Sequence, residues 1–109
     1  MILGEIFSPK AISVDLSSDD KEEVIEELVE LFAADCPNVN RSEIIESVFE
    51  RENKMSTGVI HGIAVPHGRT SAVDGVHGVI GISHTGVDFD SLDGAPVVLF
   101  IMLITSQND

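Results

Sequence analysis

The residues best suited to chemistry lie between Met55 and Gly75, where glycine, proline, histidine and small side chains displace the periodic apolar residues found elsewhere: Ser56-Thr57-Gly58-Val59-Ile60-His61-Gly62-Ile63-Ala64-Val65-Pro66-His67-Gly68-Arg69-Thr70. His67 sits between Pro66, which fixes the backbone before it, and Gly68, which permits tight chain geometry after it. Such neighbours can hold an imidazole at a defined place on a loop. A neutral imidazole that donates from one nitrogen to a carbonyl or carboxylate keeps a nucleophilic lone pair on the other. His67 is therefore a candidate to accept a phosphoryl group and give it up again. Phosphoryl transfer asks mainly for positioning and for donors aimed at the equatorial oxygens. Thr57, Arg51, Arg69 and the amides of the glycine-containing loop are the candidates for those donors. A structural loop histidine is the alternative that spacing alone leaves open.

Other chemistries fit less well. The four histidines, His61, His67, His77 and His84, lack the helical i, i+4 spacing of a His-Glu-x-x-His site, and no cysteine joins them, so no metal site is expected. His77 and His84 read as packed, surface or strand-end residues. There is neither a Gly-x-Ser-x-Gly elbow nor a Gly-x-x-x-x-Gly-Lys-Ser/Thr phosphate loop. The single cysteine, Cys36, excludes an internal disulfide and reads as a spectator thiol in a reducing compartment.

The elements that must position these residues are partly written in the hydropathy pattern. Residues 11–16 alternate as a short half-buried strand. Ser17 and Ser18 then offer an N-cap, with Asp19 and Asp20 where a helix dipole favours anions. Val24, Ile25, Leu28, Leu31 and Phe32 form one apolar stripe, which predicts an amphipathic helix ending before Pro37. A second helix is predicted from Asn40 or Ser42, with Ile44, Ile45, Val48 and Phe49 on one face and polar residues from Arg51 to Lys54 closing it. Residues 76–83 alternate as a strand, and the continuous apolar run Val97–Ile104 predicts a central strand buried on both faces. The loop Gly86-Val-Asp-Phe-Asp-Ser-Leu-Asp-Gly94 would let these two strands pair as neighbours.

Only Thr105-Ser-Gln-Asn-Asp109 follows that strand, whereas a strand buried on both faces needs a helix after it to cover the sheet. The expectation is an architecture incomplete at its C-terminus, with an exposed sheet edge through which a homodimer could form.

Composition sets the outer limits. A chain of 109 residues with 43% hydrophobic side chains has room for a single domain over 1–109 with a real core. Six Lys+Arg against 19 Asp+Glu give a net charge of −13, a field that repels nucleic acid and anionic membrane surfaces and favours a basic patch on a partner protein. The N-terminal segment has no basic region and carries Glu5, unlike a signal peptide. The longest apolar run, Ala95 to Ile104, is about half what a membrane-spanning helix needs. A soluble, cytoplasmic protein with no direct membrane insertion is expected.

One set of residues is more specific. Arg51-Glu52, then Ser56-Thr57-Gly58-Val59, then Gly62-Ile63-Ala64-Val65-Pro66-His67-Gly68-Arg69 resembles the signature of the fructose/mannitol class of phosphotransferase-system enzyme IIA domains, which includes the nitrogen-regulatory IIA proteins. The acidic first helix, the Gly86-Val-Asp-Phe turn and Asp93-Gly94-Ala-Pro-Val resemble the family too, so the likeness covers essentially the whole chain.

The resemblance implies an α/β sandwich, a mixed β-sheet flanked by helices. It also implies that His67 is phosphorylated by the phosphohistidine of an HPr-like phosphocarrier protein, and that the group passes to a IIB domain for sugar uptake. The alternative it implies is a regulatory interaction module whose binding to a regulated protein depends on His67 phosphorylation. Phosphoryl-binding roles carry over to Arg51 and Thr57, and Arg69 stands where the family often has Lys or Arg. No cofactor is implied. Two departures stand out. Gly58-Val59-Ile60-His61-Gly62 has Ile60 where the family has a glycine, and the chain stops at Asp109, about where many members carry a second histidine and then a further helical portion.

Overall fold

A computed structural model describes residues 6–58 and 61–107. Within them β1 (Phe7–Ser13) leads to helix α1 (Lys21–Asp35) and helix α2 (Arg41–Glu52). The short strands β2 (Ile63–Ala64) and β3 (His67–Thr70) follow, and then the long strands β4 (Val76–Val87) and β5 (Val97–Ser106). They form one mixed sheet in the order β1-β4-β5, with β2 and β3 laid end to end along the far side of β5. β1 runs parallel to β4, β4 antiparallel to β5, and both short strands parallel to β5. No helix among the described residues is long and apolar enough to cross a membrane.

The first strand begins and ends earlier than alternation at residues 11–16 suggests, stopping at Ser13. Its pairing with β4 starts at Phe7 opposite Gly78, where a Cβ would lie 2.1 Å from the Phe7 ring, and slips in register before Ile12.

The caps differ in detail from the sequence reading. Asp20, not Ser17 or Ser18, caps α1, accepting the Glu23 N–H at 2.8 Å. That bond holds the Asp20 carboxyl below its ordinary range, while a side-chain hydrogen bond with Asp20, and then the Asp20 charge, push Glu23 above its own. Ser17 and Ser18 instead give their backbone N–H groups, at 3.0–3.2 Å, and their hydroxyls to the Glu27 carboxylate, tying the β1–α1 connection to the helix. Asn40 caps α2 by accepting from Glu43 N–H at 3.2 Å, as its position allows.

Glu27 yields a pH prediction. Burial pushes its carboxyl up, yet the serine hydrogen bonds outweigh burial and hold it below the ordinary value of 4.5. A depressed folded-state value stabilises the fold above the unfolded value, and that contribution disappears as pH falls through the folded one. The melting temperature of Glu27→Gln should therefore lie below wild type at neutral pH, and the gap should close as pH drops below 4.5. Circular-dichroism melts across that range would read it; a gap independent of pH would refute the assignment.

Both helices pack on the same face of the sheet. Val24, Ile25, Leu28 and Phe32 of α1 and Ile44 and Val48 of α2 share one core with Val79 of β4 and Phe100, Met102 and Ile104 of β5. β5 is thus central but buried on one side only. Along it Phe100, Met102, Ile104 and Ser106 are buried while Leu99, Ile101 and Leu103 are half-buried and Val98 is 42% exposed. Continuous apolar sequence shows that a strand avoids water, not that a helix covers each face.

The stretch without periodicity also contains structure that the pattern did not mark. β2 and β3 are two and four residues long, too short for alternation to show. The backbone of β5 holds them: Gly62 O accepts from Val98 and Leu99, and Pro66 O from Leu103 N–H at 3.0 Å.

Candidate functional site

His67 is the first residue of β3, and successive strand residues point to opposite sides. Gly68 and Thr70 face inward and are buried, so His67 and Arg69 share the outward side. Gly68 lies against α2: a Cβ there would sit 2.4 Å from Ser47 Oγ and 3.0 Å from Val48 N. The helix can reach the strand only because this residue has no side chain.

That close approach creates an open cleft of about 350 Å³ between α2 and β3, lined by Ser47, Glu50, Arg51, Lys54, His67, Gly68, Arg69 and Gln107. Arg51, Lys54 and Arg69 are three of the six Lys and Arg side chains in the whole chain. In a molecule of net charge −13 they make a local positive field, and Glu50 is the one acidic side chain among the described lining residues. Arg51 stands in the last turn of α2, where the helix dipole favours a cation, and its Nη1 donates to Met55 O at 2.7 Å.

His67 Nδ1 lies 2.8 Å from the backbone oxygen of Val65. A carbonyl only accepts, so Nδ1 carries the proton and Nε2 the lone pair of the neutral ring. The ring is thereby oriented with a nucleophilic nitrogen opposite its anchored one. It can attack an electrophilic phosphorus, and the cations around the cleft can neutralise the charge that such a group brings.

Thr57 stands elsewhere. It is buried, outside the cleft lining, with its N–H 3.1 Å from Glu52 Oε1 and its hydroxyl donating to the same carboxylate. Both its donors are directed at Glu52, so in this geometry they point away from a phosphoryl group in the cleft. Lys54, Ser47 and Gln107 line the cleft without having been singled out in the sequence. Lys54 falls three residues after Arg51, just beyond the helix, and that spacing was the available signal. Ile60, where the family's glycine is replaced, lies outside the described residues.

The other histidines lie outside the cleft lining. His77 tilts against the Phe32 ring at 5.2 Å and donates from Nε2 to Asp74 O, while His84 Nε2 donates to Val14 O. His61 holds a left-handed backbone, φ 58°, with its N–H on Asp93. Among the described residues no three His, Cys, Asp or Glu side chains come together as metal ligands would. Burial, and then Asp35, push the Cys36 thiol up, away from the reactive thiolate.

Similarity to known proteins extends over nearly the whole chain. Residues 5–109 match the family described as phosphoenolpyruvate-dependent sugar phosphotransferase system, EIIA 2. The chain is 34% identical over 107 residues to the fructose-specific EIIABC component of Bacillus subtilis, spanning 98% of this chain and 17% of that protein. It is 36% identical over 103 residues to a nitrogen regulatory protein of Pseudomonas aeruginosa, spanning 94% of this chain and 67% of that one. The crystal structure of nitrogen regulatory protein IIA-Ntr from Neisseria meningitidis superposes with a TM-score of 0.89 at 32% identity, over 97% of this chain and 72% of that one.

Proposed function

This chain belongs to the EIIA 2 family of the phosphoenolpyruvate-dependent sugar phosphotransferase system, and from that premise we propose that it is a phosphocarrier whose acceptor is His67. Nε2 attacks the phosphorus of a phosphohistidine on an HPr-like phosphocarrier protein. The new N–P bond forms as the donor's N–P bond breaks, and the donor imidazole leaves with the electron pair. His67 then holds the phosphoryl group on Nε2 and its proton on Nδ1, still bonded to Val65 O. The same exchange, run toward a second protein, hands the group to a IIB domain for sugar uptake.

Arg51 and Arg69, joined by Lys54, neutralise the phosphoryl oxygens, and the transfer calls on no cofactor. The observation that carries this reading is a histidine with one nitrogen anchored and the other available, set where half of the chain's Lys and Arg side chains converge. The partners named would meet it in the cytoplasm.

The test is intact-mass analysis after incubation with phosphoenolpyruvate, enzyme I and HPr. A single acid-labile phosphoryl adduct is expected, and its absence from a folded protein would refute the acceptor role. Replacing Arg51 with alanine should slow transfer about a hundredfold without moving the adduct; unchanged kinetics would remove Arg51 from the site.

A second reading, a regulatory module whose binding depends on His67 phosphorylation, is favoured by the likeness to nitrogen regulatory proteins. Loss of the adduct to an added IIB domain supports the carrier. An adduct that persists while affinity for a regulated protein changes supports the regulator. Self-association belongs to the same proposal, a second copy covering the half-buried Leu99, Ile101 and Leu103. Sedimentation should then show a concentration-dependent dimer, and a stable monomer would dismiss it.

A further inference from the structure

Glu52 is the one acidic side chain buried in the described core, only 3% exposed, and the phosphoryl chemistry above does not use it. It stands at the C-terminal end of α2, where the helix dipole disfavours a carboxylate. A buried ion pair adds little net stability by itself, so its contribution has to be sought in what it holds in place.

We infer that Glu52, with Lys21 as its counter-ion, is a positioning residue for His67. A continuous series of bonds joins them. Lys21 Nζ, at the start of α1, lies 3.1 Å from Glu52 Oε2 and is kept there by the Phe89 ring, 4.8 Å below it, and by Asp90 at 3.8 Å. The Glu52 carboxylate accepts the Thr57 N–H at 3.1 Å and the Thr57 hydroxyl. Thr57 O accepts the Val65 N–H at 3.2 Å, and Val65 O accepts the His67 Nδ1–H at 2.8 Å.

The carbonyl that selects the tautomer of His67 is thus carried on a residue whose own N–H is fixed by Thr57, and Thr57 is fixed from both of its donors by Glu52. Arg51 and Glu52, adjacent on one helix end, divide the work: Arg51 lines the cleft, and Glu52 holds the loop that aims the imidazole into it. Without the carboxylate, Thr57 is released, Val65 loses its fixed partner, and Nδ1–H is no longer the single tautomer offered. This inference rests on His67 being the acceptor, and its test has an arm that does not.

The experiment uses the whole chain and Glu52→Gln, which keeps the shape, removes the charge and leaves one acceptor oxygen where there were two. Two quantities are read: kcat and KM for transfer from phospho-HPr, and the ¹⁵N chemical shifts of the His67 ring. The expected result is a kcat at least tenfold lower with KM unchanged, and ring shifts moving from a single Nδ1–H tautomer toward a mixture. Glu52→Asp should recover part of both.

A folded Glu52→Gln with kcat within twofold of wild type and unmoved ring shifts overturns the inference. If wild type takes up no phosphoryl group, the acceptor reading fails, while the ring shifts still decide whether Glu52 sets the tautomer. Should Glu52→Gln not fold, Thr57→Val replaces it, because it removes the hydroxyl and leaves the helix untouched. Unmoved ring shifts in that variant overturn the inference equally.

Discussion

Replacing His67 with alanine is expected to abolish phosphorylation altogether while the protein stays folded. The two halves of that expectation have separate grounds. For stability, the side chain is half-buried on an edge strand and makes one hydrogen bond, to Val65 O, so its removal should cost about 1 kcal/mol. That is a small part of the roughly 5–15 kcal/mol that holds a domain folded. For function, no neighbouring side chain can take over. Ser47 lines the cleft, but its hydroxyl is committed to Ile44 O at 2.7 Å, and the other lining residues are cations, a carboxylate, an amide and a glycine.

The remaining histidines are poor substitutes because His77 and His84 already spend Nε2 on backbone carbonyls, and none of the three remaining lines the cleft. Intact mass of wild type and His67→Ala, after incubation with phosphoenolpyruvate, enzyme I and HPr, decides the matter. An acid-labile adduct surviving in the variant would move the acceptor to His61, His77 or His84 and discard the cleft as the reaction site.

The sequence disclosed those parts of the fold in which a residue's own side chain determines its place. The stripe Val24, Ile25, Leu28 and Phe32 predicts α1 because each member is buried in the core. The apolar runs of β4 and β5 predict two neighbouring strands because they are long enough for pattern to appear. Features determined by a partner's backbone were hidden. β2 and β3 exist because β5 offers them N–H and C=O groups, and nothing in Ile63-Ala64 or His67-Gly68-Arg69-Thr70 announces a strand.

The site divides in the same way. Pro66 and Gly68 pointed to His67, and helical spacing put Arg51 near the helix end, within reach of the loop. The commitment of Thr57 to Glu52 was not legible, because a threonine beside a glycine reads equally as a free donor or as a buried one. Only the ion pair with Lys21, 31 positions earlier in the chain, makes Glu52 the inward-facing member of the Arg51-Glu52 pair. The −13 net charge likewise concealed a basic cleft, since composition averages over a surface on which half of the few cations are gathered in one place.

Gly68→Ala is expected to damage both fold and transfer, and it tests whether the contact of α2 with β3 is what assembles the cleft. The new Cβ would meet Ser47 Oγ at 2.4 Å, Val48 N at 3.0 Å and Ser47 C at 3.1 Å. The hydroxyl can rotate away, but the other two atoms belong to the helix backbone, so α2 itself has to give by a few tenths of an ångström. Overpacking of this kind costs about 1–3 kcal/mol, which in a domain this small lowers the melting temperature by roughly 4–8 °C per kcal/mol.

The functional loss should exceed the thermal one in consequence. Arg51 and Lys54 ride on the end of the displaced helix, whereas His67 and Arg69 ride on the strand, so the shift parts the nucleophile from two of its three cations. Phosphoryl transfer measured well below the melting temperature should fall about a hundredfold, comparable with removing Arg51 outright. Ser47→Ala in the same chain removes the nearest of the clashing atoms but neither of the backbone ones, so the double variant should recover only part of both losses. Full recovery would mean that a rotatable hydroxyl, not the helix backbone, sets the spacing. A Gly68→Ala protein with wild-type melting and wild-type transfer would show that the helix is free to stand farther off, and the cleft would then owe its geometry to something other than this contact.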